Sequence, residues 1–280
     1  MIKSKRHTVN SKMNYRTNPV KVYFEDSASE NENPIVLLHG LGSDHTSWVY
    51  QLDMLKSNGF RPITVDIPGF GQSVYPYHRW TIRRVALLIT RSIIDELDGQ
   101  ISLAGLSMGG TVAQEIVRIR PEKISKLVLI STFACLRPSF RKTLPYLSKR
   151  FRQVVNGDIR DQAVIVADRI FPSEDQSFFH DYLIDQIKHS NPKIYRQAMI
   201  ALAAFNSVPW MRHWQGETLV ISGDLDTTVT LENQRRLARI LPSVRFEIIH
   251  NGGHAVSIDH KDQFNQILLN FLQNYQSGNI

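Results

Sequence analysis

One cysteine, Cys135, serves a chain of 280 residues. No disulfide can close within the chain, and a structural zinc site built on several cysteines is excluded. A lone cysteine fits a reducing compartment. Long apolar runs are missing too: no stretch approaches the ~18 apolar residues of a membrane span. The opening "MIKSKRHTVNSKMNY" is basic, but no apolar run follows it, so it lacks the form of a secretory signal. The expectation is a soluble cytoplasmic protein without a transmembrane segment. Nucleotide signatures are incomplete: "HGLGS" (39–43) and "GFGQS" (69–73) carry neither the lysine of a P-loop nor a full dinucleotide fingerprint. His39, Asp44, His45 and Asp66 do not form a recognisable metal-ligand set. We therefore expect no cofactor and no metal.

What is present begins with charge. The formal net charge is +7, and much of the excess lies in "RPSFRKTLPYLSKRFRQVVNGDIR" (137–160), with seven Arg or Lys against one Asp. Such a run suits a solvated helix face, and an anionic membrane or polyanion contact is the sharper alternative. No Gly-aromatic RNA motif, zinc finger or basic zipper accompanies it, so no nucleic-acid partner is expected.

The chain then alternates. After a polar start containing the extended-looking "VKVYF" (20–24) and the turn-rich "DSASENENP" (26–34), short apolar runs recur. They are "PIVLLHG" (34–40), "FRPITVDIPG" (60–69), "ISLAG" (101–105), "KLVLIS" (126–131), "TLVISG" (218–223) and "RFEIIH" (245–250). Brief continuous apolar runs suit parallel strands buried on both faces. Helical patterns lie between them. Ile82, Val85, Ala86, Ile89, Ile93 and Leu97 mark one helix face, with Gly99 as a C-cap. "MGGTVAQEIVRIRP" stops before Pro121, and "LENQRRLARILP" (231–242) and "DQFNQILLNFLQNY" (262–275) are also helical. Alternating strands and helices predict an α/β fold around a mostly parallel sheet.

The alternation breaks once. From 132 to 216 the segments are helix-like and rich in aromatics, and no buried strand is evident. A single crossover helix needs far fewer residues. The domain expectation is a core of residues 1–131 and 217–280 with a helical insertion at 132–216.

"GLSMG" (105–109) is the stretch with chemical content. A strand runs into it and a helix runs out, the context that gives Gly-x-Ser-x-Gly its meaning. The sharp turn lifts Ser107 out of the sheet and leaves no room for bulky flanks. A serine hydroxyl is a weak nucleophile and needs a base. Among ten histidines, His254 in "HNGGHAVSIDH" (250–260) follows the last strand-like run on a glycine loop. The base needs a carboxylate, and "TLVISGDLDTTV" (218–229) ends a strand in two acids. Asp226 lies in the loop; Asp224, nearer the strand end, suits a cap or brace. An acyl-transfer site also needs oxyanion donors. The Met108 amide at the helix start is one, and the Leu41 amide in "LLHGLGSDHTSW" (37–48) is the best second.

Taken in order, "HGLG" (39–42), "DIPGFGQS" (66–73), "GLSMGG" (105–110), "GDLDTTV" (223–229) and "GGH" (252–254) resemble the motifs of lid-bearing members of the α/β-hydrolase superfamily. The resemblance spans most of the chain. It implies Ser107 as nucleophile, Asp226 as acid, His254 as base, Leu41 and Met108 as oxyanion donors, and 132–216 as a helical cap. Relatives that dehalogenate alkanes or open epoxides carry Asp at the nucleophile position; Ser107 disfavours both. The HGLG form resembles small esterases, enol-lactonases and carbon–carbon bond hydrolases. Thr230 departs from the Pro that often follows the acid loop, which bears on loop rigidity.

The expected activity is hydrolysis of a small to medium apolar ester or related acyl substrate through an acyl-enzyme. Lactonase, carbon–carbon hydrolase, acyltransferase or perhydrolase activity, and a ligand-receptor role with slow or no turnover, stay open. Trp210 and Trp214, near the return to the sheet, are the candidate pocket-lining residues of the insertion, with core packing the equal alternative for each.

Overall fold

The computed structural model describes residues 5–10, 21–27, 33–136 and 159–273. The basic run at 137–160 therefore lies outside the described residues except for its last two, as do Phe140, Tyr146 and Phe151 of the aromatic-rich segment.

Eight strands form one sheet: β1 (Lys5–Asn10), β2 (Lys21–Asp26), β3 (Asn33–Leu38), β4 (Phe60–Val65), β5 (Ile101–Leu106), β6 (Ile124–Ile130), β7 (Glu217–Gly223) and β8 (Val244–Ile249). Their spatial order is β1-β2-β4-β3-β5-β6-β7-β8. The first two pairings in that order are antiparallel and the rest are parallel. The carboxyl ends of β3 to β8 thus lie along one edge, where loops from different strands meet.

The apolar runs owe their continuity to burial on both faces. In β3, Val36 and Leu38 face one core while Ile35 and Leu37 face the other; Leu127 and Leu129 alternate likewise with Val128 and Ile130 in β6. The first core is closed by α2 (Ile82–Ser92), α3 (Met108–Ile119) and α8 (Leu231–Ile240), through residues such as Ile89, Ile116 and Leu237. The second is closed by α1 (Val49–Ser57) and α10 (Lys261–Gln273), through Leu55, Phe264 and Leu268. Between β6 and β7 the chain makes a helical excursion: α4 (Ile159–Ile170), α5 (Ser177–His189), α6 (Pro192–Ala203) and the short α7 (Val208–Met211). No described helix is long and apolar enough to cross a membrane.

One local expectation fails. The helix from Ile82 ends at Ser92, and Ile94–Glu96 forms a separate 3-10 turn, so Leu97 lies beyond it. Ile93 and Ile94 are both buried, at 3% and 0% exposure. Consecutive residues cannot share one helix face, so the chain tightens to bury both. Gly99 does not cap the helix; it takes a left-handed φ of 65° in the following connection, and the C-cap is Ile93.

Candidate active site

Ser107 sits where β5 turns into α3, with φ 52° and ψ −111°. A positive φ on a non-glycine residue costs on the order of 1–3 kcal/mol and persists only where the surroundings impose it. Here they do. The Ser107 N–H donates to the Ile130 carbonyl at 2.8 Å, and the Thr132 hydroxyl donates to the Ser107 carbonyl at 2.8 Å. The flanking glycines are required sterically: a Cβ on Gly105 would strike the Gly109 carbonyl, and one on Gly109 would strike the Leu38 carbonyl of β3.

The loop after β3 runs beside this turn. A Cβ on Gly40 would lie 3.8 Å from the Ser107 Cβ. Fully buried His39 fixes the loop, donating from Nδ1 to the Gly40 carbonyl at 2.7 Å and accepting the Ile67 N–H at Nε2 at 2.9 Å. That pair of partners selects the neutral tautomer carrying hydrogen on Nδ1. Burial, against the pull of nearby Asp66, holds this imidazole below its ordinary pKa.

Buried Asp66 accepts from the His45 N–H (2.8 Å), His45 Nδ1 (2.8 Å) and the Gln72 N–H (2.7 Å). Burial opposes its ionisation, but the His45 hydrogen bond and the neighbouring imidazoles outweigh it and hold the carboxyl below its usual range. Burial likewise works against charge on His45, and the hydrogen bond and charge of Asp66 prevail, raising it. His39, His45 and Asp66 are thus a brace between the 39–48 and 66–72 loops. Met108 opens α3, so its amide has no acceptor within the helix.

Asp226 and His254 are brought together from the loops after β7 and β8. Asp226 Oδ2 accepts from His254 Nδ1 at 2.8 Å and from Gln234 Nε2 at 3.1 Å. Its Oδ1 accepts the Thr228 and Val229 amides at 2.8 and 2.9 Å. Four donors saturate the carboxylate and fix its plane. A carboxylate only accepts, so His254 carries its hydrogen on Nδ1 and leaves Nε2 as a bare acceptor. Asp224 plays a different part: it accepts from His250 Nδ1 at 3.0 Å and the Asn251 N–H at 2.7 Å, bracing the loop that carries His254.

Ser107, Leu41 and His254 all border one cavity of about 920 Å³. Its strand-end side carries Gly40, Ser43 and Ser47; the excursion supplies Phe171, Phe179, Leu183, Met199 and Leu202. Among the described residues, no Asp, Glu, Lys or Arg lines it.

Trp210 and Trp214, the candidates to line the pocket, do not border this cavity. Each indole is turned toward the core by its N–H: Trp210 Nε1 donates to the Gln114 carbonyl and Trp214 Nε1 to the Thr218 hydroxyl, both at 3.0 Å. Arg118 also lies over the Trp210 ring, 4.7 Å from its centroid. The sequence reading missed Gln234, although its position beside Leu237 and Ala238 on the buried face of α8 was a signal.

Comparison with known proteins agrees with this architecture. The family model of the alpha/beta hydrolase fold matches residues 33–261. A Synechocystis sp. protein provisionally named a non-heme chloroperoxidase is 31% identical over 274 residues, covering 91% of this chain and 95% of that one. The 2-hydroxy-6-oxononadienedioate/2-hydroxy-6-oxononatrienedioate hydrolase of Escherichia coli is 27% identical, covering 90% of this chain and 91% of its own. Among solved structures, a bromoperoxidase from Bacillus anthracis superposes with a TM-score of 0.85 at 24% identity, covering 96% of this chain and 100% of that chain. The chain belongs to the alpha/beta hydrolase fold family.

Proposed function

We propose that this protein is a serine hydrolase that cleaves a small to medium, uncharged apolar ester or related acyl compound through an acyl-enzyme. The observation that carries the reading is a conjunction: strained Ser107 and Asp226-bound His254 border the same apolar cavity. Ser107 Oγ attacks the acyl carbon while His254 Nε2 takes its proton. The amides of Leu41 and Met108 donate to the oxygen that becomes negative, a contribution typically worth about 10²–10³ in rate for one donor. His254 returns the proton to the departing alcohol. Water, deprotonated by the same nitrogen, then attacks the acyl-enzyme and frees Ser107. Asp226 holds the tautomer and stabilises the imidazolium. Residues 132–216 act as the cap over this chemistry.

A second reading is carbon–carbon bond hydrolysis; the Escherichia coli relative is named as a hydrolase of a dienedioate or trienedioate. A dicarboxylate needs cationic partners, and among the described residues none lines the cavity. The apolar side chains that do line it suit an apolar acyl group. Initial rates on nitrophenyl esters of increasing acyl length, for the wild type and Ser107→Ala, test the proposal. It expects Ser107-dependent turnover that rises with acyl length until the cavity is filled. Ester turnover untouched by Ser107→Ala, or ligand binding without turnover, overturns it.

A further inference from the structure

A second cavity, of about 810 Å³, lies on another side of the Asp226 loop, and Asp259 is part of its wall. Asp259 ends the four-residue helix α9 (Val256–Asp259), which begins just after Ala255 and thus places this acid one turn beyond His254. Its two carboxyl oxygens face different parts of the molecule. Oδ1 accepts from Gln176 Nε2 of the excursion at 3.1 Å. Oδ2 lies 3.0 Å from the point a Cβ on Gly253 would occupy, against the backbone that leads into His254. The Gln176 amide is not free to turn away, because its Oε1 accepts the Ser173 N–H at 3.3 Å in a capping box.

We propose that Asp259 is a positioning residue for His254: its carboxylate ties the Gly253–His254 turn to the excursion through Gln176 and places a negative charge beside the imidazole. This rests on the reading of His254 as the base. The carboxylate and its neighbours account for the arrangement chemically. Burial raises the acid to about 6, while the Gly253 N–H, the His254 imidazole and Gln176 favour its charged form and Asp175 opposes it. Among the described residues, the other ionisable groups on the same cavity are His260, next in the chain, Asp168 and Arg169 of α4, and Asp226. Near neutral pH the group is mostly a carboxylate, unlike a glutamine or asparagine that would supply the tether alone. A charge there favours the imidazolium that forms as Ser107 is deprotonated.

The test uses a fluorophosphonate probe, whose reaction with Ser107 replaces fluoride at phosphorus and needs the same proton transfer to His254 but no knowledge of the natural substrate. Labelling rate is followed by intact-protein mass from about pH 5 to 9, a window spanning the ordinary histidine range. Asp259→Asn keeps an acceptor and removes the charge. The proposal expects the profile to lose the part of its acid limb that follows the Asp259 carboxyl, which titrates at about 6, and the plateau rate to fall severalfold. Gln176→Leu removes the tether and keeps the charge; it should lower the plateau with less change in the limb.

If Asp259→Asn does not fold, Gln176→Leu decides: an unchanged plateau overturns the proposal. An Asp259→Asn profile superimposable on the wild type also overturns it, as a purely structural acid would change stability and leave the limb in place. His254→Ala separates the two readings. If that variant labels at the wild-type rate, both fail; if it is inert while Asp259→Asn is unchanged, only the role of Asp259 fails.

Discussion

The two sides of the cavity are built on different principles. The strand-end side is assembled from backbone: Ser107, the 39–42 loop and the Asp226 and His254 loops each follow a sheet strand, and hydrogen bonds pin His39, the Ser107 backbone, Asp226 and His254 Nδ1. The excursion side is assembled from side chains packed on helices that are partly exposed, with Phe178 at 72% and Ile200 at 56%. The first side tolerates almost no change in geometry, because a Cβ at Gly105 or Gly109 already collides with backbone. The second can exchange one apolar side chain for another at small cost. Under the proposed function, chemistry would be held on the rigid side and substrate choice on the variable one.

Substitutions on the rigid side should have the largest effects. Ser107→Ala should lower ester turnover by about 10⁴-fold or more, as loss of an activated nucleophile does. Ser107→Gly should be equally inactive yet raise stability by about 1 kcal/mol in thermal or denaturant unfolding, because glycine relieves the positive φ. Asp226→Asn should reduce kcat by about 10³–10⁴ through the wrong histidine tautomer, with KM little changed.

Gln234→Leu asks how far the rigid side extends. It deletes the Gln234 Nε2 donor from Asp226 and from the Val229 carbonyl, partners at 3.1 and 2.7 Å. Losing such buried hydrogen bonds typically costs about 1–3 kcal/mol, so stability should fall by that order and kcat by about tenfold. If kcat stays at the wild-type value, the carboxylate needs no orienting partner beyond the two backbone amides.

The excursion side should respond differently. Phe178→Ala, at an exposed rim position, should raise KM for long-chain esters by about twofold to fivefold with little change in kcat or melting temperature, since surface changes rarely move stability by more than about 0.5 kcal/mol. Trp210→Phe is its counterpart: it should cost about 1 kcal/mol through the lost Gln114 hydrogen bond and leave ester kinetics unchanged. Reversal of these two results would put the tryptophan on the pocket after all.

The smallest effect is in pH dependence. Burial raises the Asp259 acid to about 6, above the value of an unfolded aspartate. The folded state then holds this proton more tightly, so its contribution to stability is complete below about pH 4 and is lost as pH rises through about 6. Asp259→Asn removes that loss. Melting temperatures of the two proteins should diverge in favour of the variant between those pH values, and parallel curves would show that the acid titrates alike in both states.

Much of this was legible in the sequence, for a physical reason. Strands buried on both faces read as unbroken apolar runs, so "ISLAG" and "TLVISG" mark β5 and β7 to within a residue. The glycines of "GLSMG" advertise a turn that nothing larger fits. Partners assembled from distant segments were harder to read. Gln176 and Asp259 are 83 residues apart in sequence, and the capping box that holds Gln176 says nothing of its long-range partner. Nothing local announces that they meet. For the tryptophans the sequence left pocket and core both open, and they pack on the core because an indole N–H follows its acceptor, here Gln114 of α3 and Thr218 of β7. Gly99 misled: adjacent isoleucines ended the helix before the glycine was reached.

The most direct measurement is mass spectrometry of the protein after reaction with a fluorophosphonate, followed by peptide mapping. The account predicts one phosphonyl adduct, carried by Ser107, and none in Ser107→Ala. An adduct that persists in Ser107→Ala, or a correctly folded wild type that takes none, would contradict it.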